Sequence, residues 1–492
     1  MNERQAPLSK AAEEAPGPGA HHHPAEEAPT PGARPHPAPG AHHHPAVEKL
    51  ARALRYETVS HSDLSLREEA PLEEWEGFIA DAFPTVHGRL ERAKPVSLAI
   101  IYKWEGRDTS LLAGALLAHY DVVPPGDHRS WHYPPFSGTI AEGYIWGRGA
   151  IDDKAADIGI LQAVEELLLE GFQPERTLYL CFGGDEEIGG SEGARSIVGW
   201  IKERGERLAW VLDEGGMIVE EMMPGLDAPA AVVGLAEKGH INVKITAPGR
   251  GGHASTPPAE TAVSRLATAI RKILGKPFPR RLTPTVDAFL DALGRELTGL
   301  KGLIFRLRPA TNPLILTLLS RGSQTAAMLR TTQAVTMVSG GSAENVLPHS
   351  ASAIVNIRLL HGDSISGAVE HLREAIADPE IEVELHGEWS NTPAVEETPP
   401  DHPLLSIIAK GVAEIAPNAS VIPYLMTGST DSATYADVTE NIFRFLPLLL
   451  TGEELSRMHS ANERISLENV ERAVIFYRGF LRRAARRESN RE

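Results

Sequence analysis

The chain has 492 residues, 42% of them hydrophobic and 23% charged, with a mean hydropathy of -0.19 and a formal charge of -18. That length exceeds a single core and points to two domains, while the acidic balance argues against nucleic acid or an anionic membrane surface as the main partner. The lone cysteine, Cys181, excludes an internal disulfide and fits a reducing compartment.

No apolar stretch is long enough to span a bilayer, and the first residues lack the apolar segment of a secretory signal, so a cytoplasmic location is expected. Residues 1–46 are dominated by Ala, Pro, Gly and His and contain AHHHPA twice, at 20–25 and 41–46. Too few large apolar side chains are present to offset the ordering entropy, which predicts a disordered tail. The histidine triplets could hold metal loosely, but nothing around them fixes a ligand geometry.

From 47 onward, strand and helix patterns alternate. VSLAIIY (96–102) and LLAGALLAH (111–119) read as strands, and 154–170 as an amphipathic helix with Leu161, Val164 and Leu168 on one face. TLYLCF (177–182) is a short buried strand, the stretch beginning at Ser191 a helix with that serine as N-cap, and AWVLD (209–213) a strand. This rhythm predicts an α/β sheet with helices on both faces. HINVKITAPG (240–249) then alternates polar and apolar, a helix follows over about 257–274, and 276–333 reads as an apolar, loop-rich stretch. Strands at 334–340 and 351–360 close an inserted α+β domain, taken as 239–362. Helices near 365–377, 402–416 and 467–486 and strands at 421–425 and 441–446 complete the first domain, so that 47–238 and 363–492 form one discontinuous unit.

In such a sheet ligands gather beyond the carboxyl ends of the strands. There LLAHYD offers His119 and Asp121, GRGAIDDK offers Asp152 and Asp153, CFGGDEE offers Glu186 and Glu187, and VLDEGG offers Asp213 and Glu214; His459 lies in RMHSANE. Taken singly, each has a bland reading as a helix cap or a solvated loop residue. Together they form a cluster of carboxylates that is costly to desolvate unless paired or metal-bound. Imidazole plus carboxylate suits zinc, with manganese or cobalt as alternatives.

The order H-x-D, GRGAIDDK, GDEE, LDEGG, MHSANE resembles the di-zinc family of aminoacylases, carnosinase, carboxypeptidase G and succinyl-diaminopimelate desuccinylase. TAAMLRTTQAVTMVSGGSAENVLP and GSTDSATYADVTENIFRFLP most resemble its branch of Gly-X carboxypeptidase and N-fatty-acyl-amino-acid synthase/hydrolase. The resemblance covers about 47–485 and implies a zinc-peptidase-like catalytic domain, a central mixed sheet flanked by helices, interrupted by an α+β lid and dimerisation domain. It implies two divalent ions per chain: Asp152 bridging, His119 and Asp213 on one, Glu187 and His459 on the other. Asp121 would fix the His119 tautomer, and the Asp152–Asp153 peptide would be cis. Such a pair of ions lowers the pKa of a water and polarises a carbonyl; Glu186 would take the water's proton and hand it to the leaving amine.

The same resemblance places His253 of GRGGHAS on the oxyanion, often from the second subunit of a dimer, and Asn345, Arg358, Gly428 and Ser429 on the substrate, with Arg358 on its carboxylate. The alternatives, a structural ion pair for Arg358 and a turn for Asn345, are the weaker readings. In 276–333, Phe278, Phe289, Leu300, Ile304, Phe305, Leu314, Ile315, Leu316, Leu318 and Leu319 read either as lid core or dimer contact, or as a groove for a long acyl chain. The function implied is hydrolysis of an N-acyl amino acid or a short peptide with a free carboxylate, a small-molecule substrate. An aminopeptidase or dipeptidase of the related di-zinc class, and a non-catalytic binding protein on the same scaffold, are the alternatives. A scaffold-only protein predicts loss of Glu186 or a ligand, and every position is present.

Overall fold

A computed structural model describes residues 43–222, 226, 228–387 and 391–487. The tail over 1–42 lies outside the described residues, but its predicted boundary at 46 moves: His44 caps the helix Pro45–Ala53 by accepting from the Ala46 N–H, and its Nε2 lies 3.1 Å from Glu166 Oε1.

The described residues build a ten-stranded mixed sheet. Its centre is four parallel strands, Leu178–Gly183, Ala113–His119, Leu208–Asp213 and Ile442–Arg444, with Ala99–Trp104 antiparallel on the outer side of the first. Both faces of these strands are buried, which is why they read as continuous apolar runs rather than alternating ones. Ile100, Leu116, Leu180 and Trp210 face a core shared with the helices Lys154–Leu169 and Leu467–Ala484. Ala115, Leu117, Tyr179 and Cys181 face the opposite core, under the helix Gly193–Glu203. The predicted sheet with helices on both faces is thus present.

The second sheet is antiparallel, in the order Thr332–Gly340, Ser350–Leu359, Gly239–Pro248 and Glu382–His386. Its two central strands alternate buried and half-buried residues, and the helices Ala262–Gly275 and Ile365–Ile376 cover the buried face. The strand Glu382–His386 and the helix Ile365–Ile376 lie past residue 362, so this layer draws in chain that the sequence reading gave to the returning half.

Two local readings are corrected. Residues 276–333 are helical, not loop-rich: Pro284–Glu296, Gly299–Arg306, Asn312–Leu319 and Ser323–Met328. Their apolar residues lie on more than one face, which masks a 3.6-residue period. Phe289, Leu290 and Ile315 pack with Ile422 and Leu425 of the strand Ser420–Met426, on the ten-stranded sheet rather than on the antiparallel one. The helix Gly193–Glu203 is not capped by Ser191. Asp185 does that work, accepting from the N–H groups of Glu192 (2.7 Å) and Gly193 (2.8 Å). None of the helices among the described residues is long and apolar enough to cross a membrane.

Candidate metal centre

The four parallel strands end on the same side, and their ends deliver His119, the GDEE turn and the DE pair at 213–214. The turn between strand and GDEE is tight. A Cβ on Gly183 would lie 2.7 Å from Asp431 Oδ2, and one on Gly184 would lie 2.5 Å from the Tyr120 hydroxyl.

Asp152 is the hub. Its Oδ1 lies 3.0 Å from His119 Nε2, and its Oδ2 lies 2.9 Å from His459 Nε2. One carboxylate therefore faces two imidazoles from opposite ends of the chain. Glu214 Oε1 completes one group at 3.6 Å from His119 Nε2, and Glu187 Oε1 completes the other at 3.2 Å from His459 Nε2. In each trio, His119–Asp152–Glu214 and Asp152–Glu187–His459, the donor atoms lie within 4.8 Å of one another. The Asp152–Asp153 peptide is cis, as the resemblance implies.

At one position the geometry differs from the expected ligand set: the Glu214 carboxylate, rather than that of Asp213, faces His119. Successive residues at a strand end project to opposite sides. Asp213 is turned to the chain behind, where its Oδ2 accepts from the Ser432 N–H at 2.9 Å.

Asp121 is fully buried and sits under the cluster. Its Oδ1 lies 3.4 Å from His119 Nδ1, leaving Nε2 for the site side. The same carboxylate accepts from the N–H groups of Glu186 (3.1 Å) and Glu187 (3.2 Å) and from the Ser60 hydroxyl (2.5 Å). It therefore orients one histidine and the peptide backbone of two glutamates together. Glu186 Oε2 stands 3.9 Å from His119 Nε2, outside both ligand trios.

The electrostatics follow from burial and crowding. Burial, then the Asp152 charge, pushes the Glu214 carboxyl up to about 8. Glu186 is pushed well above the carboxylate range by burial, with Glu214, Asp431 and Glu187 adding to it. Burial would raise Asp152 too, but its bonds to His119 and His459 outweigh that and hold it well below the usual range. His459 rises to about 10 through its bonds to Asp152 and Glu187. Carboxylates outnumber imidazoles here, so dications would offset the repulsion.

Three residues that matter were not singled out from sequence. Glu463 is fully buried, accepts from the Ile151 N–H (2.8 Å) and the Asp152 N–H (3.3 Å), and pairs with Arg148 at 2.5 Å. Asp431 wedges between Gly183 and Gly190 and faces Glu186. Glu237 pairs with Arg444 at 2.8 Å and accepts from Thr430. GRGAIDDK, MHSANE and GSTDS were all visible as motifs; the partners across the fold were not.

The predicted substrate residues fall into two places. Arg358 Nη1 donates to Ser429 Oγ at 2.9 Å, beside the exposed Gly428. His253 and Asn345 lie together on the ribbon of Gly252–His253 with Val346–Leu347, where the Asn345 carbonyl accepts from the Ala254 N–H. His253 is exposed, with Nδ1 2.7 Å from Ser255 Oγ.

Over most of its length the chain is similar to known proteins. The chain is 35% identical over 435 residues to the "Probable carboxypeptidase S-like 2" of Dictyostelium discoideum, covering 87% of this chain and 83% of that one. It is 35% identical over 436 residues to the N-fatty-acyl-amino acid synthase/hydrolase PM20D1 of Xenopus tropicalis, covering 88% and 84%. A solved M20 family metallo-carboxypeptidase, Sso-CP2 of Sulfolobus solfataricus, shares the fold with a TM-score of 0.62 at 18% identity, over 89% of this chain and 98% of that one. Residues 115–483, which include every residue of the two trios, match the profile of peptidase family M20/M25/M40. The chain belongs to that family.

Proposed function

We propose that this chain hydrolyses the amide bond of an N-acyl amino acid or a short peptide bearing a free C-terminal carboxylate. The observation that carries the reading is Asp152, whose two oxygens stand 3.0 and 2.9 Å from two different imidazoles. Two nitrogens and three carboxylates at such distances suit a pair of divalent ions, zinc first among them by donor chemistry. His119 and Glu214 would hold one, Glu187 and His459 the other, and Asp152 both. Bound there, the ions supply Lewis acidity and an activated water.

The protein's own residues do the rest. Glu186 is held by its backbone bond to Asp121 with its carboxylate beside the ligands but outside both trios, the place for a general base that later protonates the leaving amine. Arg358 and Ser429 offer a guanidinium and a hydroxyl to the substrate carboxylate. His253 is exposed on a separate ribbon, and would meet the carbonyl oxygen on closure or from a second subunit. The strand Thr332–Gly340 is an uncovered sheet edge with Met337 and Val338 each 65% exposed, which supports a homodimer formed through this layer.

Metal-reconstituted protein should contain two divalent ions per chain. Glu186→Gln should retain them while losing turnover of N-acyl amino acids and dipeptides by about 10²- to 10⁴-fold. Normal turnover by that variant would overturn the mechanism.

A further inference from the structure

The helices Gly299–Arg306 and Asn312–Leu319 carry more apolar residues than they can bury. Ile304, Phe305, Ile315, Leu316 and Leu319 turn inward onto the core with Phe289 and Leu290. The remaining leucines turn outward: Leu300 is 74% exposed, Leu307 53%, Leu303 and Leu314 49%, and Leu318 46%. Among the described residues seventeen large apolar side chains are exposed, and five fall within this one short stretch; Leu66, Leu112 and Leu169 are isolated in sequence. Leu300, Leu303 and Leu307 are spaced to share a single helix face.

The charge of this stretch opposes that of the whole protein. Between Glu296 and Glu344 there is no Asp or Glu, while Lys301, Arg306, Arg308, Arg321 and Arg330 are present in a chain of net charge -18. Arg308 is spent on Asp287 and Asp291 of the preceding helix, and Arg330 is half-buried. Lys301, Arg306 and Arg321 are exposed on this stretch, and the Arg306 guanidinium donates to the backbone carbonyls of Gly294 and Leu297. Screening limits charge effects to about 10 Å, so this local field, not the net charge, governs what docks here.

We propose that this face docks onto an anionic phospholipid surface. Leucines on short surface helices bury at the headgroup–acyl boundary, and flanking Lys and Arg meet the phosphates. A second copy of the same face is the poorer occupant, because a twofold contact would set cations against cations. The inner side of these helices rests on the strand Ser420–Met426, which leads directly to Gly428 and Ser429, so docking would hold the candidate site close to the lipid surface.

Flotation of the full chain with phosphatidylcholine vesicles, with and without 30% phosphatidylglycerol, tests this. The wild type should float with the anionic vesicles and be released by 0.5 M salt. Leu300→Asp/Leu303→Asp/Leu307→Asp should weaken binding by at least about tenfold. Lys301→Glu/Arg321→Glu should abolish the preference for phosphatidylglycerol. Leu169→Asp, on an exposed leucine elsewhere, should bind as wild type, and circular dichroism of each variant should match the parent. Absence of wild-type flotation, equal binding to both vesicle types, or unchanged binding by the leucine variant would overturn the proposal. So would a dimer-to-monomer shift in that variant, by light scattering, without vesicle binding by the wild type.

Discussion

Arg358 on the second sheet and Ser429 on the loop beyond the strand Ser420–Met426 are joined by a 2.9 Å hydrogen bond, so the two layers meet through a guanidinium and a hydroxyl. Burial lowers the Arg358 pKa, with Glu237 acting against it, but the group remains a cation, and Ser429 leaves most of its donors free to meet a carboxylate. Arg358→Ala should raise KM for an N-acyl amino acid by about tenfold to a hundredfold, the range for a charged hydrogen bond. The same variant should barely change the KM of the corresponding amide, which lacks the carboxylate. Steady-state kinetics on the pair decide it, and equal losses on both would assign Arg358 to structure alone.

Asp213 and Glu214 should separate cleanly. Glu214→Gln removes a carboxylate from the His119 trio and should lower metal content measured by elemental analysis. Asp213→Asn should keep both ions and instead lower stability by about 1–3 kcal/mol, the cost of disturbing a buried hydrogen bond to the Ser432 N–H. The reverse pattern would restore Asp213 as the ligand.

Glu463 holds the Asp152 loop from behind. Glu463→Ala leaves Arg148 buried without its partner and the Ile151 and Asp152 N–H groups unsatisfied. A loss of about 3–5 kcal/mol is expected for a broken buried pair. Urea denaturation of wild type and variant measures it. A surface-like loss below about 1 kcal/mol would exclude the positioning role.

Metal removal should make stability depend on pH with a definite sign. Folding raises the Glu214 carboxyl from its ordinary 4.5 to about 8, Asp185 from 3.8 to about 6 and His459 from 6.5 to about 10. Each raised group contributes stability that is complete below its unfolded pKa and is lost as pH rises through its folded pKa. The chelated protein should therefore lose Tm steadily between pH 5 and 9. The metal-loaded protein should be flatter, because dications favour the ionised carboxylates and a neutral imidazole. A Tm of chelated protein that rises over that range would contradict the assignment.

The edge strand Thr332–Gly340 gives a test of assembly. Val338→Lys, at a 65% exposed position, should convert a dimer to a monomer by light scattering while the fold persists, since a charge on a strand edge blocks edge pairing. A wild type that is already monomeric would remove the dimer reading.

The strands and most helices were legible because apolar runs of about seven residues and 3.6-residue periods survive in the chain, as at 113–119 and 154–169. The helices of 284–328 were not, because apolar residues on several faces blur the period. The site showed the same division. His119, Asp152, Glu187 and His459 stood out as metal-competent side chains at strand ends or in loops. Which of Asp213 and Glu214 faces His119 did not, because that depends on which way a strand end twists, and sequence adjacency carries no such information. Asp185 was hidden for another reason: it caps a helix that starts eight residues later, across a turn whose shape depends on Gly183 and Gly184.

The two faces of Asp152 come from different times in the life of the chain. His119, Glu187 and Glu214 leave the ribosome early, whereas His459 and Glu463 follow only after the entire second sheet has been made. Until they arrive, the first half holds several crowded carboxylates and a single imidazole, and the Asp152 loop lacks its support. On the proposed ligand set, a chain truncated before His459 should turn over no substrate. Turnover by a truncation series should therefore appear only in chains that include His459 and Glu463, making it a readout of whether the C-terminal part has docked.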